Sequence, residues 1–187
     1  MDTNPKARAS VCAVAIAKGE DRFIEEWLVY HRLLGVDHFF LYDNDPALPL
    51  RSLLAAHADY ATAIDWPGDP TADWTGRNLQ VRTYTEALVR RVASHTWVAF
   101  LDPDEFIVLR AHETLPAFLA SLGNVGAVRL NWHVFGHNGY FEDPEGLAHL
   151  GSAERAEVVV RRLEDEAHGF GDGHEIALHL RMRHADR

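Results

Sequence analysis

Apolar residues in this chain come in short blocks, each closed by a polar or acidic turn. Val11-Cys12-Ala13-Val14-Ala15-Ile16-Ala17 is apolar without interruption, the pattern of a strand covered on both faces in a mostly parallel sheet. Lys18-Gly19-Glu20-Asp21 ends it abruptly. Over 23–34 the positions Phe23, Ile24, Trp27, Leu28, His31 and Leu34 recur at helical spacing. Glu25, Glu26 and Arg32 lie on the opposite side, and Gly35 is placed to close the helix.

The alternation continues downstream. Residues 36–42 read as a second strand, which ends in the acidic turn Asp43-Asn44-Asp45-Pro46. A helix over 50–57 and a strand around 62–66 follow, then the breaker-rich stretch 67–73 and a long helix over 77–94. A fourth strand leads from Trp97 into Asp102. The order βαβαβαβ predicts a layered α/β fold with a mostly parallel central sheet, in which ligands bind at the carboxyl ends of the strands. The turns at 18–21, 43–45 and 102–105 would then share one edge of that sheet. Singly, the first two are ordinary polar strand ends; with the third they outline a site. Beyond it, 113–122 reads as a helix, 127–135 as a strand, 136–140 as a glycine-flanked turn and 153–167 as a charged helix. Ile176, Leu178, Leu180 and Met182 alternate as in an amphipathic strand.

The third turn carries the most chemistry. Trp97-Val98-Ala99-Phe100-Leu101 runs into Asp102-Pro103-Asp104-Glu105, three carboxylates in four residues. Extended backbone would put Asp102 and Asp104 on one side, and Pro103 favours that conformation at Asp102. Two hard oxygen donors so placed suit Mg²⁺ or Mn²⁺, with water and phosphate oxygens completing the coordination. The same residues also make a good helix start, with Asp102 as N-cap, Pro103 in the first helical position and Glu105 completing a capping box. Phe106-Ile107-Val108-Leu109 has two β-branched residues and no helical period, which favours a turn followed by another strand.

Composition narrows the picture. At 187 residues and 47% hydrophobic, the chain fits one α/β domain, 1–187, with its own core. A net charge of −10 speaks against a nucleic-acid surface, whose affinity comes largely from Lys and Arg. An anionic nucleotide can still bind where a metal supplies positive charge locally. The single cysteine, Cys12, lies within the first apolar block and reads as a core thiol in a reducing compartment. No run approaches the roughly 20 apolar residues of a membrane span, and residues 1–8 lack the apolar core of a signal peptide. The expectation is a cytoplasmic protein with no transmembrane segment and at most peripheral membrane contact. His174, His179 and His184 recur every five residues, which matches neither a helix face nor a strand face, and read as a solvated tail.

As a set, three groups of residues resemble glycosyltransferases of family 92 and the related family 2-like group. They are Ile16-Ala17-Lys18-Gly19-Glu20-Asp21 with Ile24-Glu25-Glu26-Trp27 and Tyr30-His31; Gly35-Val36-Asp37-His38-Phe39 with Leu41-Tyr42-Asp43-Asn44; and Phe100-Leu101-Asp102-Pro103-Asp104-Glu105-Phe106. Trp132-His133-Val134-Phe135-Gly136 with Asn138-Gly139 extends the likeness, which covers about 11–140, while 146–187 diverges. The resemblance implies a GT-A fold, the Rossmann-like three-layer sandwich of nucleotide-diphospho-sugar transferases. It also implies a nucleotide-sugar donor, with a UDP-sugar expected first, a saccharide or glycolipid acceptor, and Mn²⁺ or Mg²⁺ as cofactor.

Carried over by residue, Ala17, Lys18 and Glu20 belong to the donor-nucleotide pocket, and Asp43 and Asn44 to its base or ribose side. Asp104 is the main metal ligand, Asp102 reaches the ribose or the metal, and Glu105 completes the catalytic acidic turn. Trp132, Gly136 and Asn138 line the sugar and acceptor side. Two departures stand out. Gly19 replaces an asparagine frequent in the first motif, and the C-terminal part does not match, leaving His168, His174 and His179 as stand-ins for a further metal ligand. The implied function is metal-dependent transfer of a sugar to an acceptor hydroxyl, in surface polysaccharide or glycolipid assembly. The alternative is a non-catalytic nucleotide-sugar-binding or degenerate copy. A metal-dependent nucleotidyltransferase is a third reading, but no glycine- and lysine-rich phosphate loop supports it.

Overall fold

The computed structural model describes residues 8–19, 21–45, 47, 49–68, 79–130 and 159–162. In chain order they form β1 (Val11–Ala17), α1 (Asp21–Leu34), β2 (His38–Asp43), α2 (Leu50–Leu53) and β3 (Ala61–Asp65). These are followed by α3 (Leu79–Arg90), β4 (Trp97–Phe100), α4 (Leu115–Ser121), β5 (Ala127–Arg129) and β6 (Val159–Arg162). Short 3-10 turns extend α2 over Leu54–His57 and follow α3 at Val92–Ser94. The sheet order is β3-β2-β1-β4-β6-β5. The first four strands in that order run parallel, whereas β6 is antiparallel to both β4 and β5.

The unbroken apolar block of β1 has a direct structural cause. Val11, Ala13, Ala15 and Ala17 enter one core with Ile24, Trp27 and Leu28 of α1 and Leu115 and Leu119 of α4. Cys12 and Val14 enter the other core with Phe40, Tyr42, Val98 and Ala87 of α3. Helices therefore cover both faces of the sheet, giving three layers, and each fully buried large apolar side chain contributes roughly 1.5–3 kcal/mol. Cys12 is fully buried, and burial pushes its thiol up to about 12, which makes it the inert core thiol expected. Gly35 ends α1 with φ 104°, and a Cβ there would lie 2.8 Å from Cδ of Pro116. Both the backbone conformation and the approach of α4 thus require glycine.

The expected βαβαβαβ order is present, and two expectations fail. The charged stretch 153–167, expected as a helix, contains β6, because its Val159 and Val160 follow Val158 in a β-branched run that pairs with β4. Phe106 to Leu109, expected as a strand, forms none; side chains of α1 bond the backbone of Glu105 and Ile107 instead. Strand 127–135 is seen as β5 at its start, and everything expected from 131 to 158 and beyond 162 lies outside the described residues. Among the described residues no helix is long and apolar enough to cross a membrane.

Candidate functional site

Parallel pairing brings the strand ends together. Ala17 stands opposite Asp43 and Asp43 opposite Asp65, so β1, β2 and β3 finish level. The Asn44 backbone N–H donates to the Ala17 carbonyl at 2.9 Å, and that of Leu101 to Val14 at 3.1 Å, which carries the chain after β4 over the same edge. The three turns thus converge as the sequence predicts.

Their side chains behave differently. The Asp43 carboxylate is buried and accepts backbone N–H groups of Asp45 at 3.0 Å and Leu50 at 2.7 Å. Asn44 is also buried, and its amide nitrogen donates to the carbonyls of Trp66 at 2.8 Å and Gly68 at 3.0 Å. These two side chains tie the β2 turn to α2 and to the end of β3. Ala17 is buried and Lys18 is exposed at the rim. Glu20, Trp132, Gly136 and Asn138 lie outside the described residues, as do His168, His174 and His179.

At 102–105 the backbone is a turn rather than an extended strand, with the Glu105 N–H donating to the Asp102 carbonyl at 3.0 Å. The Glu105 carboxylate reaches back, and its Oε2 accepts the Asp102 N–H at 2.8 Å. That is the return bond of a capping box, made although no helix follows. The turn still gathers the acids: one carboxylate oxygen each from Asp102, Asp104 and Glu105 lie within 4.8 Å of one another. Asp102 and Asp104 are half-buried, whereas Glu105 is only 1% exposed.

Among the described residues, Oε1 of Glu105 is buried without a hydrogen-bond partner. Burial above all, then the neighbouring Asp102 and Asp104 charges, push this carboxyl up to about 11. Three carboxylates gathered on one turn, with one buried oxygen of Glu105 left unpaired, form a donor set that fits a hard divalent cation of the Mg²⁺ or Mn²⁺ kind.

Contacts of this turn with four residues escape a reading of the sequence. Tyr84 of α3 packs its ring against Phe100 at 4.4 Å between centroids, and burial, then Asp102, push its hydroxyl well above the usual tyrosine range. From α1, Trp27, Tyr30 and His31 all bond the main chain of residues 105–107. The available signal was their polar tips on a stripe otherwise apolar, since buried polar atoms require partners.

Comparison with known proteins identifies the family. The sequence model described as glycosyltransferase family 92 matches residues 8–157. The chain belongs to glycosyltransferase family 92. Its relatives include a family 92 protein of Oryza sativa subsp. japonica, 27% identical over 164 residues, covering 81% of this chain and 27% of that protein. A family 92 protein of Ricinus communis is 28% identical, covering 75% and 24%, and one of Arabidopsis thaliana is 26% identical, covering 88% and 32%. This family 92 chain therefore spans 24–32% of the length of these curated relatives. Among solved structures it is similar to a 4-diphosphocytidyl-2C-methyl-D-erythritol synthase from Anaerococcus prevotii, with TM-score 0.43 and 10% identity over 83% of this chain and 72% of that one. The mostly parallel three-layer sheet is the α/β architecture of a GT-A-like fold.

Proposed function

We propose that this family 92 chain binds a nucleotide-diphosphate sugar, a UDP-sugar first among them, at the carboxyl edge of its sheet and transfers the sugar to an acceptor hydroxyl. The observation that carries the reading is the cluster of Asp102, Asp104 and Glu105, with its buried unpaired oxygen, at the edge where parallel sheets bind ligands. In the reaction the acceptor oxygen bonds to the anomeric carbon as the bond to the diphosphate breaks, and the hydroxyl proton passes to a base. A divalent cation, Mn²⁺ or Mg²⁺, supplies charge stabilisation for the departing diphosphate.

Asp104 and Asp102, both half-buried, would hold that cation together with the buried Glu105. Ala17 and Lys18 border the nucleotide, with Glu20 beside them. Asp43 and Asn44 serve the base and ribose side by fixing the loop that forms its wall. Trp132, Gly136 and Asn138 line the sugar and acceptor side. The acceptor is a saccharide or glycolipid, which places the activity in surface polysaccharide or glycolipid assembly.

The test is calorimetric titration of uridine, guanosine and thymidine diphosphate sugars, with and without Mn²⁺, into the wild type and Asp104→Asn. Binding that requires Mn²⁺ and disappears in the variant is the expected result. Binding that ignores both Mn²⁺ and the variant, or no binding, would reduce residues 102–105 to a structural turn.

A further inference from the structure

Among the described residues no strand pairs with 105–107, yet their backbone is bonded. Three side chains on one face of α1, at i, i+3 and i+4, take the place of a β-ladder. The indole N–H of Trp27 donates to the Glu105 carbonyl at 2.8 Å, and the Tyr30 hydroxyl donates to the Ile107 carbonyl at 2.7 Å. The Ile107 N–H donates to Nε2 of His31 at 3.2 Å. Because that backbone N–H can only donate, Nε2 is the acceptor and Nδ1 carries the proton, which it donates to the Trp27 carbonyl at 2.9 Å.

The contact is enclosed by rings. Phe106 lies edge-on to Tyr30 at 5.2 Å and stacks on His31 at 5.8 Å and 20°. Trp27 and His31 are fully buried, and Glu105 and Ile107 are each 1% exposed. The partners stand 76 to 78 residues apart in the chain, so this clasp fixes the acidic turn to α1 across the core.

We propose that Trp27, Tyr30 and His31 are positioning residues for the acidic turn, setting where Glu105 and Asp104 present their carboxylates and hence how tightly the turn holds a divalent cation. The proposal rests on the reading that this turn is a cation site. Groups that orient metal-bearing residues from behind typically change metal affinity roughly 10- to 100-fold when removed.

The experiment measures Mn²⁺ affinity by calorimetry and amide hydrogen exchange over residues 103–109 in the full chain. Tyr30→Phe removes one hydroxyl and keeps the ring. His31→Gln supplies an amide oxygen that can still accept the Ile107 N–H. Thr96→Val serves as a control for lost stability, because it deletes two hydrogen bonds to Ser10 at the opposite end of β4. The expected result is Mn²⁺ affinity about tenfold weaker in Tyr30→Phe, with faster exchange at 103–109, a smaller loss in His31→Gln, and wild-type affinity in Thr96→Val. Wild-type Mn²⁺ affinity in both clasp variants would overturn the positioning role alone. A wild type that binds no Mn²⁺ would overturn the cation reading, and the clasp's role with it.

Discussion

Glu105 accepts the backbone N–H of Asp102 through Oε2 at 2.8 Å and holds Oε1 buried and unpaired among the described residues. One carboxylate thus closes the turn with one oxygen and leaves the other without a partner beside the acids it is grouped with. Replacing it separates the two tasks. Glu105→Gln keeps a carbonyl oxygen for the Asp102 N–H and replaces a carboxyl whose charged form burial disfavours. Its stability without metal should stay within about 1 kcal/mol of the wild type, or rise. Its Mn²⁺ affinity should fall at least tenfold, as followed by denaturant unfolding and calorimetry.

His31 should make the fold acid-sensitive. Burial lowers its imidazole to about 4 from an ordinary 6.5, so between these values the unfolded chain binds the proton that the folded chain refuses. Stability must then fall as pH drops from about 6.5 to 4, by up to about 3 kcal/mol from this residue. Urea unfolding across that range should show the slope in the wild type and a shallower one in His31→Gln.

Asp43 is the keystone of the second turn. Its carboxylate receives two backbone N–H groups, of Asp45 and Leu50, and an amide can accept only through its one oxygen. Asp43→Asn should therefore cost about 1–3 kcal/mol in urea unfolding. Weaker nucleotide binding should accompany that loss through the displaced loop.

Gly19 stands at the first turn with φ 77° and open space where a Cβ would be. Left-handed backbone is tolerated by asparagine far better than by β-branched residues, which gives a physical reason for either glycine or asparagine in this motif. Gly19→Asn should unfold within about 1 kcal/mol of the wild type, while Gly19→Val should lose more, because its branched side chain opposes that conformation. Thermal melts of the two variants make the comparison.

The parts of the fold legible in the sequence were those with a local signature. The apolar block of β1 announced a strand covered on both faces, and the Asp102 to Glu105 run stood out by its density of acid. What escaped was set by distant partners. A carboxylate after a strand looks the same whether it binds a ligand or, like Asp43, backbone amides. The backbone of Phe106 to Leu109 forms no strand because helix side chains from about eighty residues earlier bond it, a substitution that no local window of sequence displays. The strand at Val159–Arg162 was hidden by flanking charge that resembled a solvated helix, although its β-branched run pointed the other way.

Asp102, Asp104 and Glu105 are proposed to form one cation site for a nucleotide diphosphate. The most direct measurement is diffraction at the manganese absorption edge from crystals grown with Mn²⁺ and UDP. An anomalous peak should appear within bonding distance of the Asp104 carboxylate and of the diphosphate, and be lost in Asp104→Asn. A manganese peak elsewhere, or ordered UDP with no peak at this turn, would contradict the proposed site.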